Sequence, residues 1–357
     1  MRQSETPTPS APYGYGVVLP TFAIDEPLFW MGGRLAYDLL EISDDPASLD
    51  GPGFWAVSSS FEGNWMCARF GQVVDSQLPP PTNPWHKLAR PWKSSLSKNA
   101  FIEYVAEIQQ QISEGWVYQV CACRELVSEL DPSSSLLGLM QEILTYNPAP
   151  YASYLRLPKL EIASASPELF FQRNGNQVKS GPIKGTKPLN PKTSEFGFKD
   201  KAENIMIVDL IRNDLGRICK TGSIAVPRLL ISEDHPGLTH LVSDVSGTLV
   251  PDVTWTQISQ AILPPGSVSG APKSSAVMTI KDVEGQPRGP YCGALGWTCG
   301  TDALLSVAIR IFWDARDGLL RFGTGAGITW DSDPLQEWEE TQLKAGRLMT
   351  IAGGLIL

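Results

Sequence analysis

The segment "SGPIKGTKP", residues 180–188, sets one lysine, Lys184, between Gly181-Pro182 and Gly185-Thr186. Glycine and proline punctuate turns, and a lysine in a turn is ordinarily solvated. The same amine is a nucleophile if its surroundings keep it uncharged. Upstream, "ASPELFFQRNGNQVKSG" reads as strand, Asn174-Gly175 turn, strand. A two-residue turn there puts position 168 opposite 181, so Glu168 and Lys184 share the open end of the hairpin. They would be offset by three residues, about 10 Å along the strand. A carboxylic acid and an amine flanking one small molecule form an acid–nucleophile pair. The bland alternative is an ion pair at an exposed strand end.

A second set of candidates lies in "SDPLQEWEETQLKAGRLMTIAG", a helix with Asp333 at its N-cap and Pro334 at its first position. Trp338, Ala345, Met349 and Ala352 form an inward stripe. Glu337, Glu340, Lys344 and Arg347 share another face. That face reads either as solvated, with a Glu340–Lys344 pair, or as two carboxylates one turn apart that hold a hard cation. Glu203, at the start of another helix, is placed to complete such a site. Two glycine-rich stretches add possible anion contacts: "GTGAGI" (323–328) and "PPGSVSGAPKSS" (264–275). Neither fits a dinucleotide or phosphate-loop template, because Ile328 stands where the third glycine belongs and the Gly-to-Lys spacing is wrong. Glycines nonetheless let backbone N–H groups approach an anion closely.

The elements that must position these groups are mixed. "SKNAFIEYVAEIQQQISEG" is a helix opened by Ser97 and stopped by Gly115; "WVYQVCACREL" is a strand; "AENIMIVDLIRNDLGRI" has helical periodicity. No regular βαβ rhythm appears, so an α+β fold with antiparallel sheets is expected. The first ~95 residues read as a small β-rich part ending in the Pro-rich "LPPPTNPWHKLARPWKSS" (78–95), taken as a linker or surface excursion, and residues 96–357 as the catalytic body. The 357-residue chain is 42% apolar with a net charge of −9, which disfavours nucleic-acid binding. It has no 18-residue apolar run, and "MRQSETPTPSAPYGYG" lacks the apolar core of a signal peptide. Six cysteines without a metal-type CxxC pair fit reduced, mostly buried thiols and a cytoplasmic location.

Six motifs in order, "SGPIKGTKP", "AENIMIVDLIRNDLGRIC", "HLVSDVSGTL", "PPGSVSGAPK", "GALGW…VAIR" and "GTGAGITWDSDPLQEWEET", resemble the chorismate-utilising enzymes over residues 96–352. The resemblance implies two large, mostly antiparallel sheets packed together with helices outside. Anthranilate-forming members resemble this chain but typically carry Ala where Lys184 stands. Isochorismate- and salicylate-forming members place a water-activating lysine where Gln119 stands. Lys184 and Gln119 together imply amination of chorismate at C4, on the route to p-aminobenzoate and folate.

By the same resemblance, Lys184 attacks C2 and Glu168 protonates the departing 4-hydroxyl. Glu203, Glu337 and Glu340 resemble a Mg²⁺ site for the ring carboxylate. Arg310 and Tyr291, with backbone N–H groups near Gly325 and Gly327, resemble the holder of the enolpyruvyl carboxylate. Thr186, Ser267, Lys344 and His240 line the same cavity in relatives. No glutaminase cysteine–histidine arrangement is evident, so a separate glutamine amidotransferase subunit is the expected partner and source of ammonia. A shortened N-terminal part makes the tryptophan site of relatives doubtful. Trp297 and the short "TDALLSVAIR" segment depart from the family pattern and are expected at the substrate wall. The competing readings are an anthranilate-forming enzyme and a non-catalytic chorismate-binding scaffold for the amidotransferase.

Overall fold

The computed structural model describes residues 22–23, 25–131, 134–188, 196–235 and 238–356; the side chains of 186–188, 235 and 238 lie outside that description. Four N-terminal strands, β1 (Leu28–Met31), β2 (Arg34–Ser43), β3 (Phe54–Ser59) and β4 (Trp65–Asp75), precede the short β5 (Lys93–Ser94), helix α1 (Lys98–Ser113) and the long β6 (Gln119–Glu129). After α2 (Leu136–Tyr146) come β7 (Ser153–Leu157), β8 (Leu160–Ser164), β9 (Leu169–Asn174), β10 (Gln177–Gly181) and β11 (Ile183–Pro188). Helix α3 (Phe198–Gly216) leads to β12 (Ala225–His235) and β13 (Leu238–Thr248). Next are α4 (Trp255–Ile262), α5 (Gly266–Ser269), β14 (Gly270–Ala271) and α6 (Lys273–Glu284). The last elements are β15 (Ala294–Cys299), β16 (Asp302–Val307), β17 (Ile311–Asp314), β18 (Leu319–Ile328) and α7 (Pro334–Ala352).

Every ladder between strands of the described residues is antiparallel, in keeping with the α+β class. One limb runs β6–β18–β17–β8–β7. The other runs β15–β16–β9–β10–β13–β12, with β11 beside β10 on the same edge of β13. The N-terminal strands join the limbs through β7–β1–β2–β4–β3–β15. The two expected sheets are therefore the two limbs of one continuous hydrogen-bonded sheet. β1 ladders onto β7 in one limb and β3 onto β15 in the other, so the N-terminal strands link the two.

Local sequence explains the helices. Ser97 caps α1 by accepting from Ala100 N at 3.2 Å, and Gly115, at φ +83°, ends it where a side chain would be strained. Asp333 caps α7 through Gln336 N at 2.9 Å. Ala345, Met349 and Ala352 are buried as the stripe requires, in a core with Trp92, Phe312 and Phe322.

Two expectations are corrected. The hairpin loop is Gly175-Asn176, because Asn174 pairs with Gln177. Gly175 takes φ +62° at the first loop position, the II′ pattern that places glycine first. A bulge between Lys179 and Gly181 then sets Gly181 opposite Leu169, which leaves Glu168 one residue past the ladder. The Pro-rich segment is also no free linker. Trp85, Leu88 and Trp92 are buried; Leu88 N bonds Ala352 O at 2.9 Å and Trp92 Nε1 bonds Gly353 O at 2.8 Å. Its large apolar side chains outweigh the prolines and anchor it to the end of α7.

All six cysteines are free, Cys299 alone being exposed. No helix among the described residues is long and apolar enough to cross a membrane.

Candidate active site

Lys184 sits on β11 at a register shift between Ile183 and Thr186, beside Gly185 at φ +77°. A β-carbon on Gly185 would come within 2.9 Å of the Phe196 ring, so the kink is shaped by packing as well as by backbone freedom. Lys184 Nζ donates to Ser267 O at 3.2 Å, and Cys121 Sγ lies 3.5 Å from the same carbonyl. On the facing limb, Nζ comes within 3.7 Å of where a β-carbon on Gly327 would stand. The amine therefore bridges the two limbs.

Glu168 is buried at the end of β9, with its backbone O bonded by Val307 N at 3.1 Å. Burial pushes its carboxyl up to about 7, against hydrogen bonds from the Ser267 hydroxyl and the Ile183 N–H and against the charge of Lys184. For Lys184, burial works downward, but Cys121, Glu203, Glu168 and Glu340 outweigh it and raise its pKa. Without ligands this lysine is an ammonium ion.

Glu203 on α3 lies within electrostatic reach of Glu337 and Glu340 on α7. Glu337 is buried, accepting from the Ser332 hydroxyl at 2.6 Å and from Lys199 Nζ at 3.0 Å. Glu340 accepts from Lys344 Nζ at 2.6 Å. Burial raises the Glu203 pKa against Lys184 and Lys199, with Glu340 and Glu337 adding to the rise. At Glu340, whose side chain is 45% exposed, partial desolvation works upward, but Lys344, then Lys199 and Lys184, more than offset it and lower the pKa. Among the described residues no three acidic, cysteine or histidine side chains converge as a ready-made metal cluster. The donor set still fits a hard cation such as Mg²⁺: three carboxylates in one field, two already carrying ammonium groups.

At the other end lies Arg310, half-buried at φ +56°, a strained conformation for a non-glycine residue. Its guanidinium has no hydrogen bond or ion pair among the described residues, and burial lowers its pKa against the opposing effect of Tyr291. A half-buried cation lacking a counter-ion among the described residues suits a carboxylate ligand. The ladder of β17 on β18 ends at Phe322, so the outer edge of β18 beyond it has no strand partner. Side chains lie close over its glycines: β-carbons would meet the Tyr291 ring at 2.2 Å on Gly323, Cys123 Sγ at 2.6 Å on Gly325 and Gln119 Nε2 at 2.4 Å on Gly327. Gly325 O accepts from Lys344 Nζ at 3.1 Å.

Gln119 is fully buried and neither amide atom has a partner among the described residues. His240 is buried on β13, opposite Thr186 on one side and Glu233 on the other; the Thr186 side chain lies outside the described residues. Asp302 is not at this wall, and Trp297 is a packed side chain of the core. Trp297 stacks on Phe54 with Arg34 over its ring, 4.2 Å from the centroid, and Asp302 accepts from Gly175 N at 3.3 Å. Asp302 pairs with Asn174, five residues or about 17 Å along β9 from Leu169. Strand register, invisible in the motif, carries Asp302 away. Lys199, Cys121 and the Arg288–Glu284 pair carry no sequence pattern that singles them out.

A buried carboxyl of raised pKa and an amine meet at Ser267, and Arg310 adds a guanidinium without a counter-ion among the described residues, a set of groups suited to a small anionic substrate. The chain belongs to the chorismate binding enzyme family, whose sequence profile matches residues 56–350. That match begins within β3, well before residue 96.

The chain is 36% identical over 274 residues to anthranilate synthase component 1 of Saccharolobus solfataricus, covering 73% of this chain and 64% of that protein. It is 34% identical over 299 residues to aminodeoxychorismate synthase component 1 of Escherichia coli, covering 80% and 64%. It thus spans a little under two-thirds of the length of these curated relatives. Among solved structures, a putative 2,3-dihydroxybenzoate-specific isochorismate synthase from Bacillus anthracis superposes with TM-score 0.77 at 21% identity, covering 92% of this chain and 97% of that one. Anthranilate synthase component I from Streptococcus pneumoniae gives 0.75 at 22% identity, covering 94% and 95%. These last two likenesses speak for the fold alone.

Proposed function

We propose that this chain aminates chorismate at C4, the reaction of an aminodeoxychorismate synthase component 1. One observation carries the reading: Lys184 Nζ lies 3.2 Å from Ser267 O and 3.7 Å from the β-carbon position of Gly327, in the field of a carboxyl at about 7. Lys184 as a neutral amine bonds to C2. The ring double bonds shift, and the C4–O bond breaks as Glu168 gives its proton to the departing hydroxyl, which leaves as water. Ammonia then bonds to C4, the double bonds shift back, and the C2–N bond breaks to return the amine to Lys184.

The ammonium form must first lose its proton. Glu203, Glu337 and Glu340 would hold Mg²⁺, whose charge would anchor the ring carboxylate and weaken the part of the field on Lys184 that comes from Glu203 and Glu340. Arg310 would pair with the enolpyruvyl carboxylate. The unpartnered Gln119 amide offers hydrogen bonds but no base to activate water, consistent with amination rather than hydroxylation. A glutamine amidotransferase subunit would supply ammonia.

The relatives are split between anthranilate and aminodeoxychorismate names at similar identity, so anthranilate formation is the second reading. Incubating the protein with chorismate, Mg²⁺ and ammonium at alkaline pH, then identifying the product by chromatography and mass, decides between them. 4-Amino-4-deoxychorismate is expected. Anthranilate would overturn the assignment, and no turnover even with an amidotransferase would favour a scaffold.

A further inference from the structure

Behind the pocket, β6 has an open edge. Its other neighbours stop short of the middle: β14 covers Gln119 and Val120, and β5 covers Leu126 and Val127. Between them one buried ion pair takes the place of a strand. Arg288 Nη2 donates to Cys121 O at 2.7 Å, and Glu284 Oε1 accepts from Cys123 N at 3.2 Å. The two side chains are 3% and 8% exposed and joined through Arg288 Nη2 to Oε1 at 2.6 Å and Nε to Oε2 at 2.8 Å. Backbone groups in a dry interior need partners, and this pair supplies one donor and one acceptor.

The same guanidinium reaches further. Arg288 Nη1 donates to Val268 O at 2.8 Å, in the turn whose neighbouring carbonyl, Ser267 O, holds Lys184. Its own segment leads directly to Tyr291, and its face lies 4.3 Å from the Phe61 ring centroid. Tyr104 of α1 closes the cluster by donating to Glu284 Oε1 at 2.8 Å. One fork thus spaces three walls of the pocket: β6 with Gln119 and Cys121, the turn carrying Ser267, and the segment carrying Tyr291. A lysine or a hydrophobic residue cannot serve Cys121 O, Val268 O and both carboxylate oxygens together.

We propose that Arg288, held by Glu284, is the positioning residue that sets the Ser267 carbonyl, and with it the Lys184 amine, against β6. This rests on the reading of Lys184 as the reacting amine. Misplacing such a group by about 1 Å can cost on the order of 100-fold in rate. Arg310 and the carboxylates that would hold Mg²⁺ stand on other elements and Tyr291 alone shares the Arg288 segment, so chorismate affinity should change far less than turnover.

The test uses Arg288→Lys, and Arg288→Met combined with Glu284→Gln so that no lone charge is buried. Chorismate consumption with ammonium is measured, and Lys184 and Lys273 are acetylated by limiting reagent and quantified by peptide mass spectrometry. The expected result is a 10- to 100-fold fall in kcat with the chorismate KM within threefold, and faster acetylation of Lys184 with Lys273 unchanged. Native kcat and Lys184 labelling in folded variants would overturn the proposal, as would kcat and KM failing in parallel with the thermal midpoint. If the unsubstituted protein makes anthranilate or nothing, the functional reading fails. The labelling comparison still decides the positioning.

Discussion

Gln119 and Gly327 interlock across the β6–β18 ladder: the Gln119 amide fills the space a side chain at 327 would need, with Nε2 2.4 Å from the position of a β-carbon. Lys184 Nζ lies 3.7 Å from that same position. Glycine is required here by occupancy, since Gly327 has no left-handed φ.

Gly327→Ala should therefore push Gln119 toward Lys184. Overpacking of this kind costs about 1–3 kcal/mol of stability. Turnover of chorismate should fall far more, on the order of 100-fold, because the methyl enters the pocket itself. Urea unfolding alongside steady-state rates separates the two; unchanged rates would show that Gln119 relaxes away from the site.

Lys184→Ala should abolish formation of 4-amino-4-deoxychorismate while leaving the fold intact, since the lysine lies in a kink and not in either core cluster. Product analysis is decisive. A variant that makes this product at the native rate would exclude a bond between Lys184 and the ring.

Glu168 gives a stability prediction with a definite sign. Its folded pKa is about 7 against an ordinary 4.5, so the stability tied to its proton is complete below pH 4.5 and lost as pH rises through 7. The shift corresponds to about 3 kcal/mol. Glu168→Gln should thus be more stable than the parent at pH 8, by up to that amount, and nearly equal to it at pH 4.5, while losing activity at both. Denaturant midpoints at the two pH values check it; a parallel loss of stability at both would refute the raised pKa.

Divalent cations should raise the thermal midpoint through the Glu203–Glu337–Glu340 field. Glu203→Gln and Glu340→Gln should each abolish the Mg²⁺-dependent shift. A full shift in the double variant would place the cation elsewhere.

Trp92→Ala should destabilise the protein by about 3–5 kcal/mol, the range for removing a buried aromatic ring. Trp92 is fully buried and bonds Gly353 O at 2.8 Å. The chorismate KM should hardly move, since the residue lies in the cluster beneath α7. If KM changed with stability preserved, the 78–95 segment would have a part in binding.

Much was legible because local rules govern it. The caps of α1 and α7, the inward stripe of α7 and the α+β class follow from periodicity and from side chains that satisfy helix ends, all within a few residues. The motifs around Lys184, Glu168 and the glutamates were likewise readable, since each is contiguous. Tertiary structure decided what depends on long-range register. A one-residue shift of the Gly175 loop and a bulge at Lys179–Gly181 set where Glu168 ends, and pairing with Asn174 carries Asp302 away from the pocket. Only the folded chain brings Arg288 to the open edge of β6, because an unpaired backbone edge exists only once the strands around it have been placed. The raised pKa values have the same origin: burial and opposing charges arise between segments far apart in sequence, and no single stretch of residues contains them.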